Sequence, residues 1–234
     1  EHGLTGFGFM HVMVAAYVRM VSQRPALNRF IAGWKIFKRH EIILSMMVKK
    51  NMKVNAQESA IKVRFQPTDT AEDVYRRMEE AIKIATQEGD SNTFDNVARV
   101  VNYLPSILLR WFVAFMQFLD FFGIMPKVVE EASPFHSSIY ISNLGSLGIP
   151  PIYHHLYNFG NTPMFITFGA KRKENFLNAD GTVTQRNMVD YTVVTDERIT
   201  DGHYLATALK GLEKIFKNPE KLDTPPETVV EDID

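Results

Sequence analysis

The feature that most constrains this sequence is a strand, a sharp polar turn and a helix that follow one another over residues 188–216. Residues 188–194 are rich in β-forming side chains with partly alternating polarity, and residues 196–203 then read Asp-Glu-Arg-Ile-Thr-Asp-Gly-His. Large apolar residues recur beyond the turn at helical spacing, at Leu205, Leu209, Leu212 and Phe216. Polar turns between two rigid elements often carry catalytic residues, so the turn at 196–203 is the first candidate site.

The composition indicates one globular domain without a nucleic-acid partner. A chain of 234 residues with 45% hydrophobic residues can bury a substantial core. With 26 basic and 27 acidic residues, the net charge of -1 lacks the basic excess that phosphate binding requires. The absence of cysteine excludes disulfides, thiolate metal sites and a cysteine nucleophile, and it fits a reducing compartment, so we expect a cytoplasmic protein. Because the first residue, Glu1, is not a methionine, we expect a truncated start.

Helices and strands alternate along the rest of the sequence. The pattern predicts helices over 9–22, 71–85 and 93–101 and strands over 60–65, 135–141 and 163–169. Residues 34–38 and 42–48 are predicted to form a strand pair, and the Asp-Gly turn at 178–182 predicts a hairpin. The proline-rich, acidic segment 218–234 is expected to be a flexible, solvated tail or a strap on a neighbouring molecule.

Residues 104–122 are the most apolar part of the chain and form a predicted extra helix. We prefer a core or subunit-contact helix, because an exposed face this apolar needs a partner. The aromatic residues also allow a helix that lies in a membrane surface, although few cations accompany them. A membrane-spanning helix comes last, because Pro105, Arg110 and Asp120 interrupt a segment of barely sufficient length.

Other patterns of site residues are missing or weak. His154 and His155 are adjacent, but no carboxylates are spaced to complete a metal site with them. His136 has no companion motif, and no segment matches a P-loop or a dinucleotide-binding fingerprint. The turn at 196–203 and the Ser-Asn-Leu-Gly segment at 142–145 therefore remain as the candidates.

Both candidates resemble motifs of one family. Residues 196–202 resemble the D-H-R-x-x-D-G signature of the 2-oxoacid dehydrogenase acyltransferases, whose catalytic domain is the dihydrolipoamide acyltransferase domain, and the H-H-x-x-x-D-G signature of the related chloramphenicol acetyltransferases. Residues 142–148 resemble the family's S-N-L-G-x-x-G loop, and 25–28, 161–169 and 217–220 resemble further family segments in the same order. The resemblance implies a chloramphenicol acetyltransferase-like α+β fold over 1–217, a two-layer arrangement of a mixed sheet with packed helices.

The resemblance also assigns roles to individual residues. The family's catalytic base is the histidine before arginine, and Glu197 occupies that position here. Asp201 takes the position of the aspartate that supports the geometry of the site, and Ser142 or Ser146 takes that of the hydroxyl that stabilises the oxyanion. The positions expected to contact substrate or coenzyme A are Asn143, Gly145, Asn161 and Arg198.

The implied function is transfer of an acyl group from coenzyme A or another thioester to a thiol, hydroxyl or amine, without a metal. By the same resemblance, the chain should form a homotrimer, with sites between subunits, and such trimers can build a larger cage. A glutamate can act as this base only where burial raises its pKa. If Glu197 instead forms an ion pair, with Arg198 or with a neighbouring subunit, the protein is an inactive relative that serves as an oligomeric scaffold. Membrane-surface contact through 104–122 is a third and weaker alternative.

Overall fold

The computed structural model describes residues 3–49, 58–86, 103 and 105–233, so the helix predicted over 93–101 lies outside the described residues. Five α-helices are described: α1 Phe9–Gln23, α2 Ala71–Thr86, α3 Ser106–Phe121, α4 Lys127–Ala132 and α5 Gly202–Lys217. The strands are β1 Arg29–Ala32, β2 Lys35–Lys38, β3 Ile42–Lys49, β4 Glu58–Phe65, β5 Ile139–Asn143, β6 Met164–Phe168, β7 Arg172–Leu177, β8 Val183–Met188 and β9 Tyr191–Thr195.

A five-stranded mixed sheet in the order β4-β3-β5-β6-β9 forms the centre of the fold. The three inner strands, β3, β5 and β6, run parallel, and the two edge strands run antiparallel to their neighbours. The strands β1 and β2 form one separate hairpin, and β7 and β8 form another. The predicted α+β fold, a mixed sheet covered by helices, is therefore confirmed.

The core lies between one face of the sheet and the helices α1, α2 and α5. Alternate residues of β3, such as Ile42 and Leu44, point into this layer, and they are 2% and 1% exposed. Helix α1 packs against both α2 and α5, and its Met13 and Val18 are fully buried. Because burying one such side chain contributes about 1.5–3 kcal/mol, this face of the sheet fixes the position of the helices.

Two local predictions were wrong in their pairing. The segments 34–38 and 42–48 are strands, but β2 pairs with β1, and β3 pairs with β4. Gly33, at a φ of +57°, turns the first hairpin tightly, and this allows the strand before it to serve as the partner of β2. The predicted strand over 188–194 is divided, because β8 ends at Met188 and β9 begins at Tyr191 in a different sheet. The predicted hairpin turn at 178–182 does join β7 to β8.

Helix α3 is not part of the core of this chain. Of its apolar side chains only Met116 is buried, whereas Trp111 is 73% exposed and Phe115 and Phe118 are each more than half exposed. The helix rests on the β1–β2 hairpin, where the rings of Trp34 and Phe121 meet edge to face at 6.0 Å. Within a single chain, the interpretation of 104–122 as a core helix is therefore wrong. Across the part of the chain that the structure describes, no helix has the length and apolarity needed to cross a membrane.

The C-terminal segment follows the surface of the same chain. The N–H group of Val230 donates to the carbonyl oxygen of Ser22 at 2.8 Å, and Gln23 Nε2 donates to the carbonyl oxygen of Thr228 at 2.6 Å. Arg29 forms a buried ion pair with Asp232. These bonds carry the segment past the end of α1 and close to the start of α5.

Candidate functional site

The turn after β9 is held by an Asp–Arg pair. Arg198 Nη2 donates to Asp196 Oδ2 at 2.6 Å, and Arg198 Nε donates to Asp196 Oδ1 at 2.8 Å. Burial raises the pKa of Asp196, but the hydrogen bonds from Arg198 outweigh it and leave the pKa below its usual value. Ile199, which is 2% exposed, anchors the turn in the protein. Arg198 is therefore occupied by Asp196, and it does not form the predicted ion pair with Glu197 within the chain.

Asp201 ends the turn and begins the helix. Its Oδ1 accepts a hydrogen bond from the N–H group of Tyr204 at 2.7 Å, which makes Asp201 the N-cap of α5. A capping carboxylate satisfies a free backbone donor and also faces the positive end of the helix dipole. Asp201 thus fixes the end of the turn and the start of α5, and the supporting role in an active site that the resemblance implied for it stays a prediction.

Glu197 lies at the tip of the turn and is exposed. Among the described residues, the structure records no hydrogen bond or ion pair from its carboxylate. The single chain therefore does not supply the burial that a glutamate base would need, and only a second molecule or a ligand can cover this side chain.

The Ser-Asn-Leu-Gly loop leaves the sheet at the end of β5. Asn143 Oδ1 accepts from the N–H group of Ser146 at 3.3 Å, and Ser146 Oγ donates to the carbonyl oxygen of Asn143 at 2.9 Å. Gly145 is required here, because a Cβ atom at this position would lie 2.7 Å from the carbonyl oxygen of Gly169. Ser142 is half-buried near the end of β5, and Ser146 is exposed.

Asn161 is engaged by a buried arginine. Arg39 Nη2 donates to Asn161 Oδ1 at 2.6 Å, and the Arg39 guanidinium lies over the ring of Phe30 at 4.5 Å. Burial lowers the pKa of Arg39, and the nearby Glu130 carboxylate opposes this. The Asn161 side chain therefore connects two parts of this chain, and the substrate contact expected for it stays a prediction.

The strand register separates the two motifs. Asn143, at the end of β5, pairs with Phe168 of β6, and Phe168 pairs with Tyr191 at the start of β9. Thr195, at the end of β9, instead pairs with Met164 at the opposite end of β6. At about 3.3 Å per residue, the two ends of β6 are roughly 13 Å apart. The two motifs therefore leave the sheet at opposite ends of its strands.

A cleft of about 400 Å³ lies beside the turn. Asp201 and Tyr204 line one side of it, and residues 230–233 of the C-terminal segment line the other. Neither Glu197 nor Ser142 lines this cleft. Of the predicted site residues, this cleft therefore contains Asp201 but not Glu197 or Ser142.

A buried polar network elsewhere was missed from the sequence. His136 Nδ1 lies 2.8 Å from Ser133 Oγ, and His136 Nε2 lies 3.0 Å from Asp120 Oδ1. The N–H group of Gly160 donates to Asp120 Oδ2 at 3.1 Å. His136 had no companion in its own segment apart from the short Ser-x-x-His spacing, because its carboxylate partner comes from α3.

Comparison with known proteins supports part of the resemblance. Residues 131–223, less than half of the chain, match the sequence model of the family described as 2-oxoacid dehydrogenases acyltransferase (catalytic domain). This stretch is similar to an acyltransferase catalytic domain. It contains both candidate motifs, at 142–148 and 196–202. No individual curated protein sequence matches the chain.

Solved structures share the fold at low sequence identity. A probable dihydrolipoamide acetyltransferase from Listeria monocytogenes superposes with a TM-score of 0.58 at 15% identity, over 95% of this chain and 74% of that chain. The dihydrolipoamide acetyltransferase of Azotobacter vinelandii gives 0.53 at 10% identity, and the cubic core of a pyruvate dehydrogenase multienzyme complex gives 0.52 at 12%. In both cases the superposition covers 92% of this chain and 70% of the other. The chain therefore has the chloramphenicol acetyltransferase-like fold of these acyltransferases.

Proposed function

We propose that this protein is a coenzyme A-dependent acyltransferase whose active site forms between subunits, with Glu197 in the position of the catalytic base. The acyl group would pass from a thioester to a thiol, hydroxyl or amine acceptor. The observation that carries the proposal is the family match over 131–223, because it includes both motifs in their expected order. The Azotobacter vinelandii structure was determined to test a serine, a histidine and an asparagine in the mechanism of that enzyme.

The strand register supports a site between subunits. The loop at 142–148 and the turn at 196–203 lie at opposite ends of the sheet's strands, so one chain cannot bring Ser142 and Glu197 to the same substrate. If the turn of one subunit meets the loop of the next, Glu197 and Ser142 come together on one substrate. The same contact would cover the Glu197 carboxylate, and burial would make it a stronger base. We propose a homotrimer, able to build a larger cage, as the assembly that does this.

In the proposed reaction, the Glu197 carboxylate accepts the proton of the acceptor thiol, hydroxyl or amine. The acceptor then attacks the thioester carbonyl carbon, and Ser142 or Ser146 donates a hydrogen bond to the oxyanion. The carbon–sulfur bond breaks, and the coenzyme A sulfur takes the proton from Glu197 and leaves as the thiol. Asn143, Gly145 and Arg198 would lie along the substrate path, whereas Asn161 would support it through Arg39.

The alternative is an inactive relative that serves as an oligomeric scaffold. It is favoured by the exposure of Glu197 and by the structural work already done by Asp201 and Asn161, which cap a helix and bind Arg39. Under this alternative the assembly forms in the same way, but no acyl group is transferred.

One experiment separates the two. Turnover of acetyl-CoA with dihydrolipoamide, small amines and small alcohols is measured for the wild type, Glu197→Gln and the control Glu213→Gln, together with the mass of each protein by light scattering. Glu213 is exposed on α5, and its Oε1 accepts from Lys217 Nζ at 2.6 Å. Since a general base contributes about 100- to 10,000-fold, we expect Glu197→Gln to lose at least 100-fold in turnover and Glu213→Gln to lose nothing.

The results distinguish an acyltransferase from an inactive scaffold. A multimer of wild-type protein that turns over none of these pairs supports the scaffold. Turnover that is equal in the wild type and in Glu197→Gln excludes Glu197 as the base while leaving the transferase intact. A monomer with full activity would contradict the interface site.

A further inference from the structure

The buried network at Ser133, His136 and Asp120 has the geometry of a nucleophile, a base and a group that orients the base. His136 is 1% exposed and Ser133 is 8% exposed, so water competes little for their hydrogen bonds. The ring of His136 bridges the hydroxyl at 2.8 Å and the carboxylate at 3.0 Å. Arrangements of this kind are recognised by geometry and roles and recur on unrelated folds. We propose that these three residues form a serine esterase site, separate from the acyltransferase motifs.

The hydrogen bonds select the productive tautomer of the histidine. The Asp120 carboxylate can only accept, so the Nε2 atom of His136 carries the hydrogen toward it. In the neutral ring the Nδ1 atom is then a free acceptor, and the Ser133 hydroxyl donates to it. Asp120 is itself held by the N–H group of Gly160 at 3.1 Å. The Ser133 proton thus has a base ready to take it.

An apolar cavity of about 260 Å³ adjoins Ser133. It lies between α3 and α4, and its walls include Leu109, Phe112, Met116, Val129, Phe135 and Phe159. Among the described residues that line it, Ser133 alone has a polar side chain. A cavity of this kind suits a short aliphatic chain, because it offers no partner to a charged or strongly polar group. The substrate class is therefore a carboxylic ester with an aliphatic acyl chain.

The cavity reaches the exposed surfaces of α3 and α4. Val113 and Val128, which belong to its walls, are 42% and 71% exposed. The N–H group of Phe135 donates to Ser133 Oγ at 3.3 Å, so the position of the hydroxyl oxygen is held by the backbone as well as by His136.

The proposed hydrolysis passes through an acyl-serine. Ser133 Oγ attacks the ester carbonyl carbon while its proton moves to His136 Nδ1. The bond from carbon to the alcohol oxygen then breaks, the alcohol takes the proton from His136, and an acyl-serine remains. A water molecule gives its proton to His136 and attacks the acyl carbon, and Ser133 leaves and regains the proton. The net change converts ester and water into carboxylic acid and alcohol.

The test uses the full chain with an alkyl fluorophosphonate and with p-nitrophenyl octanoate. We expect covalent labelling of Ser133, located by mass spectrometry of the peptides, and slow hydrolysis of the ester. Ser133→Ala should abolish the labelling and lower hydrolysis by about 100-fold or more. The control Ser106→Ala, which changes an exposed serine at the start of α3, should change neither. Circular dichroism and thermal unfolding show that each variant is folded.

A second variant tests the acyl pocket. Val113→Phe should fill part of the cavity and lower octanoate hydrolysis several-fold relative to acetate hydrolysis, while labelling by a methyl fluorophosphonate persists. Folded wild-type protein that leaves Ser133 unlabelled, or Ser133→Ala protein that hydrolyses the ester as fast as the wild type, overturns the proposal. In that case the hydrogen bonds of the network only hold α3 against the segment that leads into β5. Labelling of Glu197→Gln at the wild-type rate keeps this test independent of the acyltransferase proposal.

Discussion

The turn at 196–203 and the network of Ser133, His136 and Asp120 are both polar, but the protein builds them in opposite ways. In the turn, the side-chain hydrogen bonds join residues two or three positions apart, as between Asp196 and Arg198 and between Asp201 and Tyr204. In the network, Asp120 binds His136, sixteen residues away, and Gly160, forty residues away. Glu197 and Arg198 of the turn are exposed, whereas His136 and Ser133 of the network are buried within one chain.

This difference explains why one region was found from its motif and the other was not. A motif is a local pattern, and the turn is a local structure whose bonds follow from its own sequence. The network depends on α3 lying across the segment that leads into β5, which no local pattern specifies. The same difference predicts how strongly each region contributes to stability.

The largest expected effect is a loss in the free energy of unfolding when the network of Ser133, His136 and Asp120 is broken. Asp120→Ala leaves the N–H groups of His136 and Gly160 without their acceptor in a largely buried region, and each buried unsatisfied donor costs about 1–3 kcal/mol. We expect a loss of roughly 3 kcal/mol in the free energy of unfolding, measured in urea. Asp120→Asn, which keeps one acceptor, should lose less. A loss smaller than that of Asp196→Ala in the exposed turn would reverse the comparison.

A smaller effect is expected from Lys62, which lies beside the buried region. Lys62 Nζ donates to the carbonyl oxygen of Glu130 in α4, and burial lowers its pKa from 10.5 to about 8 despite the nearby Glu131. Between these pKa values the unfolded chain binds more protons than the folded one, so the contribution of Lys62 to stability rises as the pH rises from about 8 to 10.5.

The variant Lys62→Met isolates this contribution. Relative to the wild type, it should be more stable at pH 7 by about 1–2 kcal/mol, and this advantage should shrink toward pH 10. Urea unfolding of both proteins at several pH values measures it. A difference that is constant with pH would show that Lys62 keeps an ordinary proton affinity in the folded protein.

The smallest effect is expected in the turn. Asp201→Ala removes the N-cap of α5, which should cost about 1 kcal/mol, whereas Asp201→Asn keeps an oxygen that can cap the helix and should cost less. Thermal unfolding of the two variants makes the comparison. Equal losses in both would indicate that the negative charge, acting on the helix dipole, matters more than the hydrogen bond.

Much of the fold could be predicted from the sequence, because its local signals agree. The spacing of Leu205, Leu209, Leu212 and Phe216 predicts a helix, and α5 covers them all. The Asp-Gly turn joins β7 to β8 as predicted. Strand pairing was harder, since the partner of β2 depends on how tightly Gly33 turns the hairpin. The division of 188–194 between two sheets likewise depends on neighbours from distant segments.

The sequence by itself determined the order of the elements, the α+β class and the two motifs that resemble an acyltransferase, because periodicity, turn residues and caps act over a few positions. Only the tertiary structure decided where those motifs lie. The parallel pairing of β5 with β6 and the antiparallel pairing of β6 with β9 put Asn143 and Thr195 at opposite ends of the sheet's strands. The tertiary structure also brought Asp120 to His136, because packing in three dimensions joins residues that no local interaction connects.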